Sequence, residues 1–298
     1  MHVNGKSRAS QTFDAIVVGT GISGGWAAKE LCERGLKTLV LERGHMVEHI
    51  KDYPTMMKHP WELPYANQLT HKEKTEIYPV QSRTSYAVTQ DTKHFFVKDS
   101  EHPYIQKKPF LWTRGYHVGG RSLTWGRWAY RRGDTDFACY ETDGIGIDWP
   151  IRYKDIEPWY DHVERFIGVS GNHDGLPQIP DGIFLPPWEM NCVEKHVEQT
   201  LAETYSDRRL TIGRTANITQ PHNGRGKCMA RNLCRRGCPY GAYFSSNSST
   251  LPAAEATGNM TLRPHSIVHT VLYDREKGRA SGVRIVDAKT KETIEFHA

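Results

Sequence analysis

The chain has 298 residues, of which 38% are hydrophobic and 10% aromatic, and its formal net charge is +5. This length can hold one large domain or two ordinary ones with a substantial core. The modest charge argues against nucleic-acid binding, since only residues 227–236 are locally basic. No apolar run approaches the roughly 20 residues of a membrane span, and the polar first twelve residues contain no signal-peptide pattern.

The first 42 residues predict a strand–helix–strand unit. A short apolar strand pattern over residues 13–18 runs into GTGISG, which matches G-x-G-x-x-G. A helical pattern follows over residues 23–34, and a second strand pattern covers 38–42 and ends in an acidic residue. In this context the glycine pattern indicates a dinucleotide site more strongly than an ordinary glycine-rich turn.

Each position of the glycine pattern has a physical role. Gly19 permits a tight turn, Gly21 lets the backbone approach a pyrophosphate, and Gly24 lets the helix pack against the strand. Ser23 lies in the first turn of the helix, whose free N–H groups attract phosphate. Glu42 can accept hydrogen bonds from ribose hydroxyls and would repel a 2′-phosphate, which disfavours NADP. FAD and NAD share this pattern, so the segment alone does not choose between them.

The rest of the chain alternates between loops and regular elements. Residues 45–110 are polar and irregular, and we expect long excursions over the core, some of which cover a ligand. A glycine-dense stretch occupies 114–134. Helices are predicted over 153–166 and 189–205. Short strands separated by turns predict a β-meander at the end of the chain, over residues 260–264, 266–274, 281–287 and 293–297. The sequence stops directly after the last strand, which suggests a chain cut before its natural end.

Three cysteines, Cys228, Cys234 and Cys238, fall within eleven residues. Closely spaced thiolates suit an iron–sulfur cluster, and the neighbouring Lys and Arg residues would lower the pKa values of the thiols. A zinc site with His222 as fourth ligand, a local disulfide and unligated thiols remain open alternatives. The other cysteines, Cys32, Cys139 and Cys192, are predicted to be small core residues.

Several segments together resemble the glucose–methanol–choline (GMC) family of flavoprotein oxidoreductases. Residues 14–44, which end in Glu42-Arg43-Gly44, are similar to the family's N-terminus. Gly119, Gly120 and Ser122 with Trp125 resemble its second, flavin-contacting glycine segment, and residues 148–164 resemble the substrate-domain helix of its sugar-dehydrogenase branch. Residues 245–274 resemble the return to the FAD domain, where Val268 matches a strand valine whose backbone meets the adenine.

The resemblance implies an α/β fold. We expect a Rossmann-like FAD-binding domain, with a parallel sheet and a β-meander, and an inserted α+β substrate or cap region. The predicted division assigns 1–134 and 241–298 to the FAD-binding domain and 135–240, with the cysteine cluster, to the cap. The fold is expected to be incomplete at its C-terminus.

The resemblance also implies a function. The chain would oxidise a CH–OH group of a sugar, sugar acid or polyol by hydride transfer to flavin N5. The FAD would be noncovalent, since Thr124 stands where some relatives carry a linking His. The cysteine spacing resembles that of a [3Fe–4S] centre, which would pass electrons to an external acceptor. No catalytic residue is assigned, because the family's catalytic His lies further along a longer chain; His117 and His265 are not substitutes.

Partners and location follow from the same resemblance. Sugar-dehydrogenase relatives work with a small exported subunit and a cytochrome c, and the complex reaches the periplasm on the partner's signal; a cytoplasmic protein fits equally well. Two other functions remain open: an NAD-linked oxidoreductase with a structural zinc site, and a non-catalytic flavin-binding module.

Overall fold

The computed structural model describes residues 12–84 and 87–298. The helices, in chain order, are α1 (Ile22–Glu33), α2 (Asp134–Phe137), α3 (Cys139–Asp143), α4 (Tyr153–Ile167), α5 (Cys192–Thr204) and α6 (Thr250–Ala256). The strands are β1 (Ala15–Val18), β2 (Thr38–Leu41), β3 (Val169–Ser170), β4 (Phe184–Leu185), β5 (Met260–Arg263), β6 (Ser266–Asp274), β7 (Arg279–Asp287) and β8 (Thr293–His297). The helices and strands predicted from the sequence are confirmed, with boundaries shifted by a few residues.

The chain forms two compact units. The first holds the described residues up to Trp125 together with Asn232–Pro239 and Ser245–Ala298, and the second holds Gly126–Arg231 and Tyr240–Phe244. This division differs from the predicted one, which began the cap at residue 135 and placed all three clustered cysteines in it.

The segment Asn232–Pro239 belongs to the first unit because a buried ion pair holds it there. The Arg236 guanidinium lies 2.5 Å from the Asp91 carboxylate and also donates to the carbonyl oxygen of Lys58 at 2.8 Å. Gly237 packs so closely on the Tyr53 ring that a Cβ would lie 2.4 Å from it. No local sequence pattern predicts these long-range contacts.

A three-stranded parallel sheet with the order β1-β2-β5 lies at the centre of the first unit. The central strand β2 is buried on both faces, as expected for a parallel strand. Its Val40 packs with α1, α6 and β5 in one core, and its Leu39 and Leu41 pack with the last strands in another. Alternate side chains of one strand therefore join two cores.

The predicted β-meander is confirmed for three of its four strands. Strands β6, β7 and β8 form an antiparallel sheet in that order. Residues 260–264 were wrongly included, because β5 pairs in parallel with β2, for example Leu262 with Val40. The helix α6 before β5 supplies the crossover that parallel pairing requires, and the local pattern of β5 does not reveal its partner.

The excursion after β2 folds into its own small core. In its described residues, 45–84 and 87–110, it contains short single turns and no strand. Its buried side chains are mainly aromatic and aliphatic: Val47, Tyr53, Leu69, Tyr78, Val88, Phe95 and Phe96, joined by Leu123. The excursion is therefore a packed layer of the first unit.

Buried ion pairs organise the second unit. The Arg131 guanidinium, which is 2% exposed, binds both carboxylate oxygens of Glu164 on α4 at 2.9 and 2.5 Å. Arg214 is equally buried and pairs with Asp181 at 2.7 Å. Cys139 and Cys192, predicted as core residues, are half-buried and exposed respectively, whereas Cys32 is buried as predicted. Cys192 begins a helix whose residues are nearly all exposed, so its surroundings offer no core.

No helix in residues 12–84 and 87–298 combines the length and apolar character needed to cross a membrane.

One buried and one half-buried histidine in the first unit make its stability depend on pH. Burial lowers the pKa of His117 to about 4, and burial together with the neighbouring His117 lowers that of His94 to about 4. Below pH 6.5 the unfolded chain protonates these groups while the folded chain does not until about pH 4, so the free energy of unfolding falls over this interval. The loss is up to about 3 kcal/mol per histidine.

Urea unfolding at about pH 7, 6 and 5 measures this slope, because these pH values bracket the pKa of a histidine in the unfolded chain. His117→Asn keeps a donor near Nδ1, which bonds the Val118 carbonyl oxygen at 2.9 Å, and we expect a shallower pH dependence in this variant. The exposed-site variant His269→Asn serves as control. Equal slopes in the wild type and His117→Asn would contradict the prediction.

Candidate dinucleotide site

The glycine turn after β1 has open space above it. Gly19 adopts a φ of +94°, which favours glycine. A Cβ added at Gly19 or Gly21 would meet no atom within 4 Å, whereas a Cβ at Gly24 would lie 2.0 Å from the Gly19 carbonyl oxygen. The backbone at Gly19 and Gly21 thus leaves open space, and Gly24 lets the helix pack closely. The predicted approach of a pyrophosphate to Gly21 stays a prediction.

The N-terminus of α1 points its free N–H groups at this turn. Gly21 is the N-cap residue, no side chain caps the helix, and its first turn contains no acidic residue. Ser23 is exposed in that turn. Uncapped N–H groups and the positive end of the helix dipole suit a phosphate. The described geometry therefore fits the pyrophosphate of a dinucleotide.

Glu42 lies at the end of β2 and is 6% exposed. Its Oε2 accepts the Thr20 hydroxyl at 2.6 Å and the Thr20 N–H at 3.1 Å, and its Oε1 accepts the Gly44 N–H at 2.9 Å. The backbone of Glu42 bonds Arg263 and Ser266 at the turn between β5 and β6. Of the roughly four lone-pair directions of a carboxylate, these donors leave one, on Oε1, for a ribose hydroxyl.

The second glycine segment meets the first. A Cβ at Gly120 would lie 3.6 Å from the Gly21 Cα, and Gly119 donates its N–H to the Thr20 hydroxyl at 3.0 Å. The structure thus brings together two segments that are about 100 residues apart. Trp125 is half-buried nearby in sequence, and its flavin contact stays a prediction.

Ser122 is fully buried and acts on the protein backbone. Its hydroxyl donates to the Gly119 carbonyl oxygen at 2.6 Å and accepts the Ser246 N–H at 2.9 Å. The Ser246 hydroxyl in turn donates to the Gly21 carbonyl oxygen at 3.1 Å. In this geometry Ser122 links the two glycine segments, and its predicted role in cofactor binding is untested.

Arg43 and Val268 lie outside the hydrogen-bond network that joins Glu42 to the two glycine segments. The Arg43 guanidinium lies 3.7 Å from the centre of the Tyr116 ring, and its side chain is exposed. The Val268 side chain packs with the meander core, and its backbone pairs with Ile285. Their predicted cofactor contacts remain predictions.

Three residues of this network were missed from the sequence: Thr20, Ser246 and Asn247. Asn247 donates to the carbonyl oxygens of Val47 and Val118 at 2.8 and 3.2 Å. The polar string at 245–250 was the available signal, since buried hydroxyls and amides need partners. It did not reveal which partners they have.

The clustered cysteines do not form a metal site in this structure. Cys228 belongs to the second unit, whereas Cys234 and Cys238 belong to the first. Within residues 12–84 and 87–298, no group of three or more His, Cys, Asp and Glu side chains is placed to hold a metal ion. None of the six cysteines, all of them in the described part, forms a disulfide. The arrangement described here does not fit a three-thiolate centre.

The glycine contacts predict that alanine has two different effects at three positions. Gly24→Ala would collide with backbone, and Gly119→Ala would place its Cβ 1.6 Å from the Asn247 Oδ1 at a φ of +87°. We expect each to lower the free energy of unfolding by about 2 kcal/mol or more. Gly21→Ala meets open space and should keep wild-type stability. Thermal unfolding of the three variants tests this, and equal stability of Gly21→Ala and Gly24→Ala would refute it.

Comparison with known proteins places this site in a family. The chain matches the GMC oxidoreductase family over residues 13–298. The fructose dehydrogenase large subunit of Gluconobacter japonicus is 25% identical over 94% of this chain and 50% of its own length. The gluconate 2-dehydrogenase flavoprotein of Pantoea cypripedii is 26% identical over 95% of this chain and 49% of its own length.

A third relative, 2-methyl-1,2-propanediol dehydrogenase of Mycolicibacterium austroafricanum, is 26% identical over 97% of this chain and 48% of its own length. The chain thus spans about half the length of these curated relatives. Because the family match runs through both glycine segments, Glu42 and the meander, the chain belongs to the GMC oxidoreductase family.

Proposed function

We propose that this chain is part of an FAD-dependent dehydrogenase that oxidises a CH–OH group of a sugar, sugar acid or polyol. The observation that carries the proposal is the convergence of the glycine turn, Glu42 and the second glycine segment in one unit of a GMC-family chain. The relatives named for fructose, gluconate and a propanediol support the substrate class.

The residues of this chain supply the binding of the cofactor. The N–H groups at the start of α1 would hold the pyrophosphate over Gly21, and the open lone pair of Glu42 Oε1 would accept a ribose hydroxyl. The segment from Gly119 would lie against the flavin half. When bound, FAD supplies the acceptor of a hydride from the substrate carbon.

No residue of the described chain is assigned as the catalytic base. His117 is 1% exposed, its Nδ1 bonds the Val118 carbonyl oxygen, and burial holds its pKa near 4. His265 forms the turn before β6 at a φ of 57°, and its backbone bonds Gly44 and Ala288. The hydrogen bonds of both histidines hold the protein backbone in place, so neither is assigned as the base. The base is therefore proposed to come from the part that the longer relatives have in addition.

We also propose a small partner subunit and a cytochrome c acceptor, with export to the periplasm on the partner's signal. The sequence resemblance supports this, and one relative is named as a large subunit. An iron–sulfur centre at Cys228, Cys234 and Cys238 stays a prediction of the sequence. Within the described residues, no group of three or more His, Cys, Asp and Glu side chains is placed to hold a metal ion.

Flavin binding tests the proposal directly. The purified chain should bind FAD and show the flavin absorption bands, and acid precipitation should release the flavin, because Thr124 cannot form the histidyl link. Gly21→Ala should weaken FAD binding at least about tenfold, since a methyl group enters the phosphate cradle.

Gly35→Ala is the matched control, because its Cβ also meets no atom within 4 Å and it lies after α1, away from the turn. The Gly35 φ of +83° adds strain, so its unfolding is measured in parallel. Failure of the wild-type chain to bind FAD would overturn the proposed function. Binding of NAD without FAD would instead support an NAD-linked oxidoreductase.

Iron analysis and EPR of anaerobically purified protein test the metal prediction. A three-iron centre would give about three iron atoms per chain, and Cys234→Ser should abolish them. Cys192→Ser, at an exposed cysteine outside the cluster, is the control. Zinc in place of iron, or no metal, would contradict the cluster. A flavin that no sugar or polyol reduces in the longer protein would indicate a non-catalytic binding module.

A further inference from the structure

Thr20 occupies the variable position between Gly19 and Gly21 and is completely buried. Its hydroxyl donates to Glu42 Oε2 at 2.6 Å and accepts the Gly119 N–H at 3.0 Å. One side chain therefore joins the glycine turn, the acidic end of β2 and the second glycine segment. The glycine pattern assigns this position no role.

A hydroxyl meets these demands because it donates one hydrogen bond and accepts others. Valine has the same shape but can do neither. Its introduction would leave the Gly119 N–H without this acceptor and Glu42 Oε2 without this donor. Both groups lie in buried surroundings, where an unmet polar group is costly.

We propose that Thr20 is a positioning residue of the dinucleotide site, which fixes the Glu42 carboxylate and ties it to the Gly119 segment before the cofactor arrives. The inference rests on the proposed function. By filling Oε2 with two donors, Thr20 directs the one open lone pair, on Oε1, toward the ribose. It thus acts through Glu42 and touches no reacting atom.

This role has a consequence for specificity. A fixed Glu42 carboxylate repels a ribose 2′-phosphate. Without the Thr20 hydroxyl, only the backbone N–H groups of residues 20 and 44 hold this carboxylate in the described part of the chain, and it can turn away from the phosphate more easily. Loss of the hydroxyl should therefore reduce discrimination between ADP-ribose and its 2′-phosphorylated form. A residue that only stabilises the fold would not change this ratio of affinities.

The experiment compares Thr20→Val, Thr20→Ser and wild type. Calorimetry measures the affinities for FAD, ADP-ribose and 2′-phospho-ADP-ribose. In Thr20→Val we expect FAD affinity to fall about tenfold and discrimination against the 2′-phosphate to fall by a similar factor. Thr20→Ser, which keeps the hydroxyl, should stay within about threefold of wild type on both measures.

Thr38→Val is the matched control. Thr38 is also fully buried, and its hydroxyl donates to the Leu36 carbonyl oxygen at 3.0 Å at the other end of β2. It should lower stability without changing the affinity ratio. If Thr20→Val does not fold, Thr20→Ala removes the same hydroxyl without replacing its bulk.

Three outcomes distinguish a failure of this inference from a failure of the proposed function. If wild type binds FAD and the hydroxyl-free variant keeps both the wild-type affinity and the wild-type discrimination, the role of Thr20 is wrong and the proposed function stands. If the wild type binds no FAD, the proposed function is wrong, and the inference that rests on it is wrong as well. A change of affinity with an unchanged ratio would make Thr20 a purely structural residue and would also overturn the inference.

Discussion

The carboxylate of Glu42 is the constraint on which the rest of the first unit depends. A buried carboxylate is tolerated only where donors replace the water it has lost. Here the donors are Thr20 and Gly44, and the backbone of Glu42 is held by the turn between β5 and β6. The glycine turn, the end of β2 and the return of the chain after α6 must therefore meet at one point.

The second glycine segment follows from the same requirement. Once Thr20 is fixed by Glu42, its oxygen presents an acceptor for the Gly119 N–H, and Ser122 and Ser246 extend the bonding to Gly21. Glycine is required at 119 because a side chain would displace Asn247. Hydrogen bonds through these hydroxyls thus join the backbones of segments that are far apart in the sequence. The cradle is formed by the protein itself.

The features that were predictable from the sequence are those that depend on residues close together in the chain. The turn at Gly19, the close packing at Gly24 and the acid at the end of β2 each depend on neighbours within one strand–helix–strand unit, so spacing alone indicates them. The helices α1 and α4 follow from apolar periodicity, and β2 follows from a short continuous apolar run.

Pairings between distant segments were not predictable from pattern. The strand β5 has the composition of a meander strand, yet it pairs with β2, because pairing depends on where α6 returns the chain. The hydroxyls of Thr20 and Ser246 are common polar side chains in the sequence, and only the fold supplies their partners. The second glycine segment was identified by its resemblance to the GMC family, and its contact with the flavin stays a prediction.

The clustered cysteines are a second case in which sequence spacing did not predict contacts between distant segments. Sequence spacing places three thiols within eleven residues, but the Arg236–Asp91 ion pair fixes Cys234 and Cys238 to the first unit, whereas Cys228 belongs to the second. Between them, Ala230 and Asn232 adopt left-handed backbone conformations that are costly for residues other than glycine. In metal sites, the binding of the metal itself can supply the free energy of local folding. The dinucleotide cradle, by contrast, lies within one unit and is formed by hydrogen bonds of the protein itself.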